Sequence, residues 1–332
     1  MSDKAPVVLI MGPTASGKTA LAKGLYDTLP CEIINVDSTQ FYRDMDIGSA
    51  KPNADELRAY PHRMLSFLDP AELYSVGRFV DDVCVEIDAI HQAGRVPLLV
   101  GGSMMYFKAL VNGLNDLPPT DLVIRRRLEA IVARRGIQFV HRGLAKVDEV
   151  SAKRLHPNDS QRILRALEVF LMTGSTLSSM HQPVSSPLND KYEWLPIILC
   201  PENRALLHEK IACRVDAMLD GGLVSEVEKL YTRGDLNLEF NSSIRSIGYR
   251  QVWMYFDGVM TYESMRSRVI IATRQFAKRQ YTWLRSLSSQ FKRSLTLDSS
   301  SILSADNDAD REYRKQELMK KVLHYVQTSI GE

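Results

Sequence analysis

Residues Gly12, Pro13, Thr14, Ala15, Ser16, Gly17, Lys18 and Thr19 follow the apolar run Val7-Val8-Leu9-Ile10-Met11 and lead into Ala20-Leu21-Ala22. This is the pattern G-x-x-x-x-G-K-[ST] in the context it requires: a buried strand, a tight loop and a helix start. Two glycines let successive amides turn toward one anion, and the helix N-terminus adds its partial positive charge. Lys18 can neutralise a terminal phosphate, and the Thr19 hydroxyl can hold Mg²⁺. The loop therefore predicts an α/β fold whose first strand delivers a di- or triphosphate site.

The remaining composition narrows the class. With 332 residues the chain can bury a large core and form more than one domain. Its net charge is only +2, so any nucleic-acid footprint must be local rather than global. No apolar run reaches the roughly 18 residues of a membrane span, and Met1 to Pro6 leave no room for a signal peptide before the first strand. Cys31, Cys84, Cys200 and Cys213 lie far apart, without ligand spacing, which fits reduced thiols in a cytoplasm. Nothing in the sequence calls for an oligomer, and a monomer is expected.

Short apolar runs alternate with amphipathic stretches through the first third, the pattern of a parallel sheet covered by helices. Strands are expected at Val7–Met11, Glu32–Val36, Arg63–Phe67 and Val96–Val100, with helices near Lys18–Leu29 and Ser75–Ala93. Beyond the Leu117-Pro118-Pro119 linker the chain is nearly all helical to about Gly174, so 119–191 reads as a helical insertion within the core formed by 1–118 and 192–298. Within it, His181–Lys191 reads as a polar loop, and Trp194–Cys200 returns the chain to the sheet. Helices are expected near Asn203–Asp220 and Leu223–Gly234, and the Ser- and Asp-rich 298–310 reads as mobile, so that 299–332 is a linker and helical tail.

Two further features carry chemistry. Asp37 ends the second strand, beside the phosphate loop if ligands sit beyond the carboxyl ends of a parallel sheet; it could serve as metal ligand, ribose contact or general base. The fourth strand ends in Gly101-Gly102-Ser103 rather than in the Asp of a hydrolysing motor, and offers a hydroxyl instead. Farther on, Arg266–Arg293 holds eight Arg or Lys and no acid. Arg274, Lys278 and Arg285 fall within roughly 40° of arc on a helix, interleaved with Gln275, Gln280, Tyr281 and Trp283. Such a stripe can follow a phosphate backbone and offer stacking surfaces. On the loop alone, a small-molecule kinase using ATP is the alternative reading.

Taken together, the stretches Gly12–Thr19, Asp37–Pro52, Gly101–Leu110, His156–Val169, Ser246–Trp253 and Thr273–Arg285 resemble, in order, the tRNA dimethylallyltransferase (tRNA isopentenyltransferase) family. The resemblance implies a P-loop NTPase-like parallel sheet covered by helices, with an all-helical insertion domain. It implies transfer of a dimethylallyl group from dimethylallyl diphosphate, with Mg²⁺, to N6 of the adenosine just 3′ of the anticodon in tRNAs reading codons that begin with U. By the same resemblance Asp37 is the general base, Arg214 the cation on the leaving diphosphate, and Ser103, where the family more often has Thr, a contact to donor and tRNA. It further implies that Asp37, Ser38, Thr39 and Gln40 face the tRNA. Gln161, Arg162, Ile163, Leu164 and Arg165 do so from the insertion, which Arg125 opens; for Ile163 and Leu164 the side chains fit helix core better. Arg245, Ser246, Ile247, Gly248, Tyr249 and Arg250 complete the implied tRNA contacts.

Overall fold

A computed structural model describes residues 4–181, 186–304 and 308–331. Among them, β1 (Ala5–Met11), β2 (Cys31–Val36), β3 (His62–Arg63), β4 (Val96–Gly101), β5 (Tyr192–Leu199) and β6 (Leu295–Leu297) form one parallel sheet in the order β3-β2-β4-β1-β5-β6. Apolar runs without polar alternation demand cover on both faces. On one face α1 (Lys18–Thr28) supplies Leu21, Ala22 and Leu25 against Val8, Ile10 and Leu98. On the other, Leu9, Met11 and Leu99 meet Phe79, Val83 and Ile87 of α3 (Val76–Gln92), a helix opened by the Ser75 hydroxyl. Each such Val, Leu, Ile, Phe or Met side chain, fully buried, contributes about 1.5–3 kcal/mol.

Between β2 and β3 lies α2 (Ala54–Ala59), opened by a reciprocal Asn53–Glu56 cap; α4 (Met104–Asn112) follows β4. The expected strand Arg63–Phe67 is only His62–Arg63. Met64 and Ser66 take positive φ values of 56° and 52°, which turns the chain off the ladder, and Ser66 and Phe67 then donate to the carbonyls of Gln40 and Phe41. The three-residue edge strand β6, too short to show periodicity, was not anticipated.

The chain divides into two compact units, Met1–Val111 with Pro187–Glu332, and Asn112–Ser186. The second comprises α5 (Leu122–Arg135), α6 (Ile137–Val147), α7 (Glu149–Arg154), α8 (Ser160–Thr173) and α9 (Leu177–Met180) around Leu128, Val140, Leu144, Ile163 and Val169. Of the loop expected at His181–Lys191, residues 182–185 lie outside the described ones, and Leu188–Lys191 forms the short helix α10. The first unit continues with α11 (Arg204–Asp220), α12 (Leu223–Tyr231), α13 (Tyr249–Phe256) and the 27-residue α14 (Tyr262–Ser288).

Within the segment expected to be mobile, residues 305–307 lie outside the described ones. Ser300–Leu303 forms α15, and the Asp298 carboxylate accepts from the amides of Glu202 and Ser300. The final helix α16 (Asp308–Ile330) buries Val322 and Val326 completely in the core beneath α1. Among the described residues no helix is long and apolar enough to cross a membrane.

Candidate active site

The carboxyl ends of β1, β2 and β4 converge because the sheet places β4 between β1 and β2. Gly12 has no room for a side chain, since a Cβ would lie 2.5 Å from the Leu199 carbonyl. Gly17, at φ +96°, opens α1 in the left-handed region that favours glycine. After β4, a Cβ on Gly101 would strike the Val36 carbonyl at 1.9 Å. That close approach brings Ser103 against the end of β2, where its hydroxyl accepts from the Ser38 amide at 3.1 Å.

Asp37 is held by its own turn. Its Oδ1 accepts from the Thr39 amide at 3.0 Å, while its amide donates to Asn35, a buried residue whose side-chain amide also donates to the Met64 carbonyl. Asp37, Ser38, Thr39, Ser103 and Arg214 line a cleft of about 310 Å³ together with Thr14 of the phosphate loop. One wall is apolar. Ile211, Val215 and Met218 come from α11 at helical spacing, and Val269 and Phe276 from α14.

Electrostatics distinguish this cleft from a packed interior. Lys18 donates to the Pro13 carbonyl at 2.6 Å. Burial, then the Arg214 charge, lower its pKa to about 7 against the opposing pull of Asp37. Burial raises the Asp37 pKa above the usual carboxylate range, opposed by the Thr39 amide, Lys18 and Arg214. Burial likewise lowers that of Arg214, opposed by Asp37. Two cations and one carboxylate thus share a desolvated site without an ion pair among them, and a bound polyanion would satisfy both cations.

The family model for IPP transferases matches residues 40–287. A tRNA dimethylallyltransferase of Thioalkalivibrio sulfidiphilus is 53% identical over 281 residues, covering 85% of this chain and 87% of the relative.

The chain belongs to the IPP transferase family.

It is a transferase, and family membership leaves the kinase reading of the phosphate loop without support. Among solved structures, the full-length tRNA isopentenylpyrophosphate transferase of Bacillus halodurans is similar at 35% identity and TM-score 0.66, covering 98% of this chain and 99% of that one. A eukaryotic dimethylallyltransferase acting on tRNA is similar at 28% identity and TM-score 0.75, covering 93% and 78%.

Within this IPP transferase chain, the implied tRNA residues fall into two groups. Arg245, Ser246, Ile247 and Gly248 line the cleft, and Arg250 lies exposed beside Arg268 in a shallow neighbouring groove. Gln161 and Arg162 are exposed on the insertion; Lys278 and Arg285 are exposed on α14. Others are committed elsewhere. Tyr249 is fully buried, its hydroxyl donating to Glu226 at 2.6 Å, and Gln40 spends its amide on the Ser49 and Ala50 carbonyls. Ile163 and Leu164 are core, as the helix-core reading has it. Arg125 and Arg165 both turn onto the buried Glu168, at 4.0 and 3.4 Å. Arg274 is half-buried and donates to the His208 carbonyl. The stacking surface expected of Tyr281 and Trp283 is also taken: Tyr281 donates to the Pro201 carbonyl, and the Lys108 ammonium lies over the Trp283 ring at 5.5 Å.

Sequence reasoning missed three residues of this site. Arg279 lines the cleft and adds a further cation. Glu226 gathers the amides of Asp46, Ile47 and Gly48 as well as the Tyr249 hydroxyl, so one carboxylate fixes two walls. Arg279 belonged to the basic stretch without being singled out, and Asn35 left a signal as the polar residue inside an apolar strand.

Proposed function

We propose that this transferase moves the dimethylallyl group from dimethylallyl diphosphate to N6 of the adenosine 3′-adjacent to the anticodon in tRNAs that read codons beginning with U, releasing diphosphate. The observation that carries this reading is the shared cleft: Asp37 and Arg214 face one volume with an apolar wall, and the charges of both act on Lys18 of the phosphate loop. The dimethylallyl chain lies on Ile211, Val215, Met218 and Phe276, which exclude water from the electrophilic carbon. The diphosphate rests at the phosphate loop, held by loop amides, Lys18 and Arg214, with Arg279 within the same cleft.

An adenine amino group is a weak nucleophile because its lone pair is delocalised into the ring. As the N6–carbon bond forms and the carbon–oxygen bond to diphosphate breaks, Asp37 takes the amino proton. Its raised pKa makes it a better acceptor than an exposed carboxylate. The target base must leave the anticodon stack to reach Asp37. Ser103, hydrogen-bonded to the Ser38 amide, holds the Asp37 turn against β4.

The donor set suits Mg²⁺ arriving with its substrate. Among the described residues no three His, Cys, Asp or Glu cluster as a metal cage, and Mg²⁺ commonly uses one or two protein ligands plus substrate phosphates. The exposed Thr19 hydroxyl at the head of α1 would hold it, and the ion would neutralise the leaving diphosphate. A cytoplasmic location belongs to the same proposal and is supported by the four free cysteines, and the chain is proposed to act as a monomer.

Incubating the chain with dimethylallyl diphosphate, Mg²⁺ and unmodified tRNA, then digesting to nucleosides for mass spectrometry, tests the reading. Adenosine heavier by one five-carbon prenyl unit is expected. Unmodified adenosine with consumption of ATP would return the loop to kinase chemistry.

A further inference from the structure

Gln280 is 3% exposed on α14, the helix that carries Lys278 and Arg279 immediately before it. It continues the stripe Val269, Thr273 and Phe276 that lines the cleft, one turn farther along. Its Oε1 accepts from the Thr14 amide at 2.9 Å, and its Nε2 donates to the Gly102 carbonyl at 2.9 Å. A Cβ on Gly102 would lie 2.4 Å from that same nitrogen, so the turn after β4 is shaped around this amide. Among uncharged side chains only a carboxamide offers a carbonyl acceptor and an N–H donor at one tip. Gln280 therefore bridges the two loops that build the site: the phosphate loop through Thr14, and the Gly102–Ser103 turn that leads to Ser38 and Asp37.

We propose that Gln280 is a positioning residue that couples the donor site to the RNA-facing helix, so that RNA held by α14 tightens diphosphate binding and the donor tightens RNA binding by the same factor. The inference rests on the tRNA prenyl-transfer reading. A helix is a stiff connector, and Gln280 is the point where α14 grips both loops by backbone groups. Binding that fixes α14 therefore fixes the Thr14 amide and the Gly102 carbonyl. Such linkage is reciprocal by necessity.

The test uses the full chain, with inorganic diphosphate titrated in the absence and presence of a saturating unmodified anticodon stem-loop. The parent is expected to bind diphosphate about tenfold tighter with RNA present, within the usual range of coupling. Gln280→Leu, which removes both bonds, brings that ratio to about one and raises the donor KM, while affinity for RNA alone stays within about twofold because the exposed cations are untouched. Gln280→Glu keeps the acceptor for Thr14, loses the donor to Gly102, and gives an intermediate ratio. A Gln280→Leu ratio equal to the parent's overturns the proposal. If that variant melts well below the parent, Gln280→Glu decides the matter by the same criterion. A parent that prenylates tRNA yet shows no RNA-dependence of diphosphate binding overturns the coupling alone. A parent that transfers nothing to tRNA removes the functional reading beneath it.

Discussion

Two places in this molecule gather two partly buried cations around one carboxylate, and they use them in opposite ways. In the insertion, Glu168 is fully buried. It accepts from the Asp121 amide at 2.7 Å and has Arg165 and Arg125 at 3.4 and 4.0 Å, while Arg165 also donates to the Pro118 carbonyl. There the charges answer one another and tie the linker to α8. In the cleft, Lys18, Arg214 and Asp37 form no ion pair, and burial pushes all three toward their neutral forms. A charge cluster whose members pair with one another can hold a fold together; one without internal ion pairs is poised for a ligand.

The sharpest way to break this contrast is to neutralise each carboxylate. Asp37→Asn keeps an acceptor for the Thr39 amide but removes the base. Single-turnover transfer should fall by about 10²–10⁴ with melting temperature unchanged or raised, and an unchanged rate would take Asp37 out of proton transfer. Glu168→Ala should do the reverse. Stranding two arginines beside an emptied site costs about 3–5 kcal/mol in denaturant unfolding, and a loss below about 1 kcal/mol would mean the cluster is not structural.

Protons offer a third probe. Lys18 has its pKa lowered to about 7, so in the free protein its charge is lost as pH rises through that value. A bound diphosphate favours the charged form, so binding takes up a proton and affinity declines above about pH 7, by up to tenfold per unit. Calorimetry at pH 8 in two buffers of different ionisation enthalpy should show that uptake; equal heats would contradict it. Asp37 acts in the opposite sense: its raised pKa means that activity is lost on acidification before an ordinary carboxylate would protonate. The smallest effect concerns the exposed face of α14. Replacing Lys278 and Arg285 together by Ala should lower the salt slope of tRNA binding by about 1.4–1.8, and an unaltered slope would make both residues a solvated face.

Much of the architecture was legible along the chain. Four of the five expected strands appear within a few residues, because parallel strands covered on both faces read as continuous apolar runs bounded by turns. The fifth failed at Met64 and Ser66, whose left-handed backbone follows from docking against residues 40–43 rather than from local propensity. The final helix read as helical but without a role; its burial shows only once Val322 and Val326 meet the α1 layer.

By itself the sequence determined the phosphate loop and the sheet that delivers it. These depend on spacing over a few residues, where glycine, a charge and an apolar run have few alternative uses. Only the tertiary structure decided which polar side chains are committed to partners within the protein and which face the cleft. Gln280 meets Thr14 across 266 residues, and Glu226 meets Ile47 across 179. Partners that distant leave no local pattern, because a buried polar group is specified by whatever the fold brings within hydrogen-bonding reach.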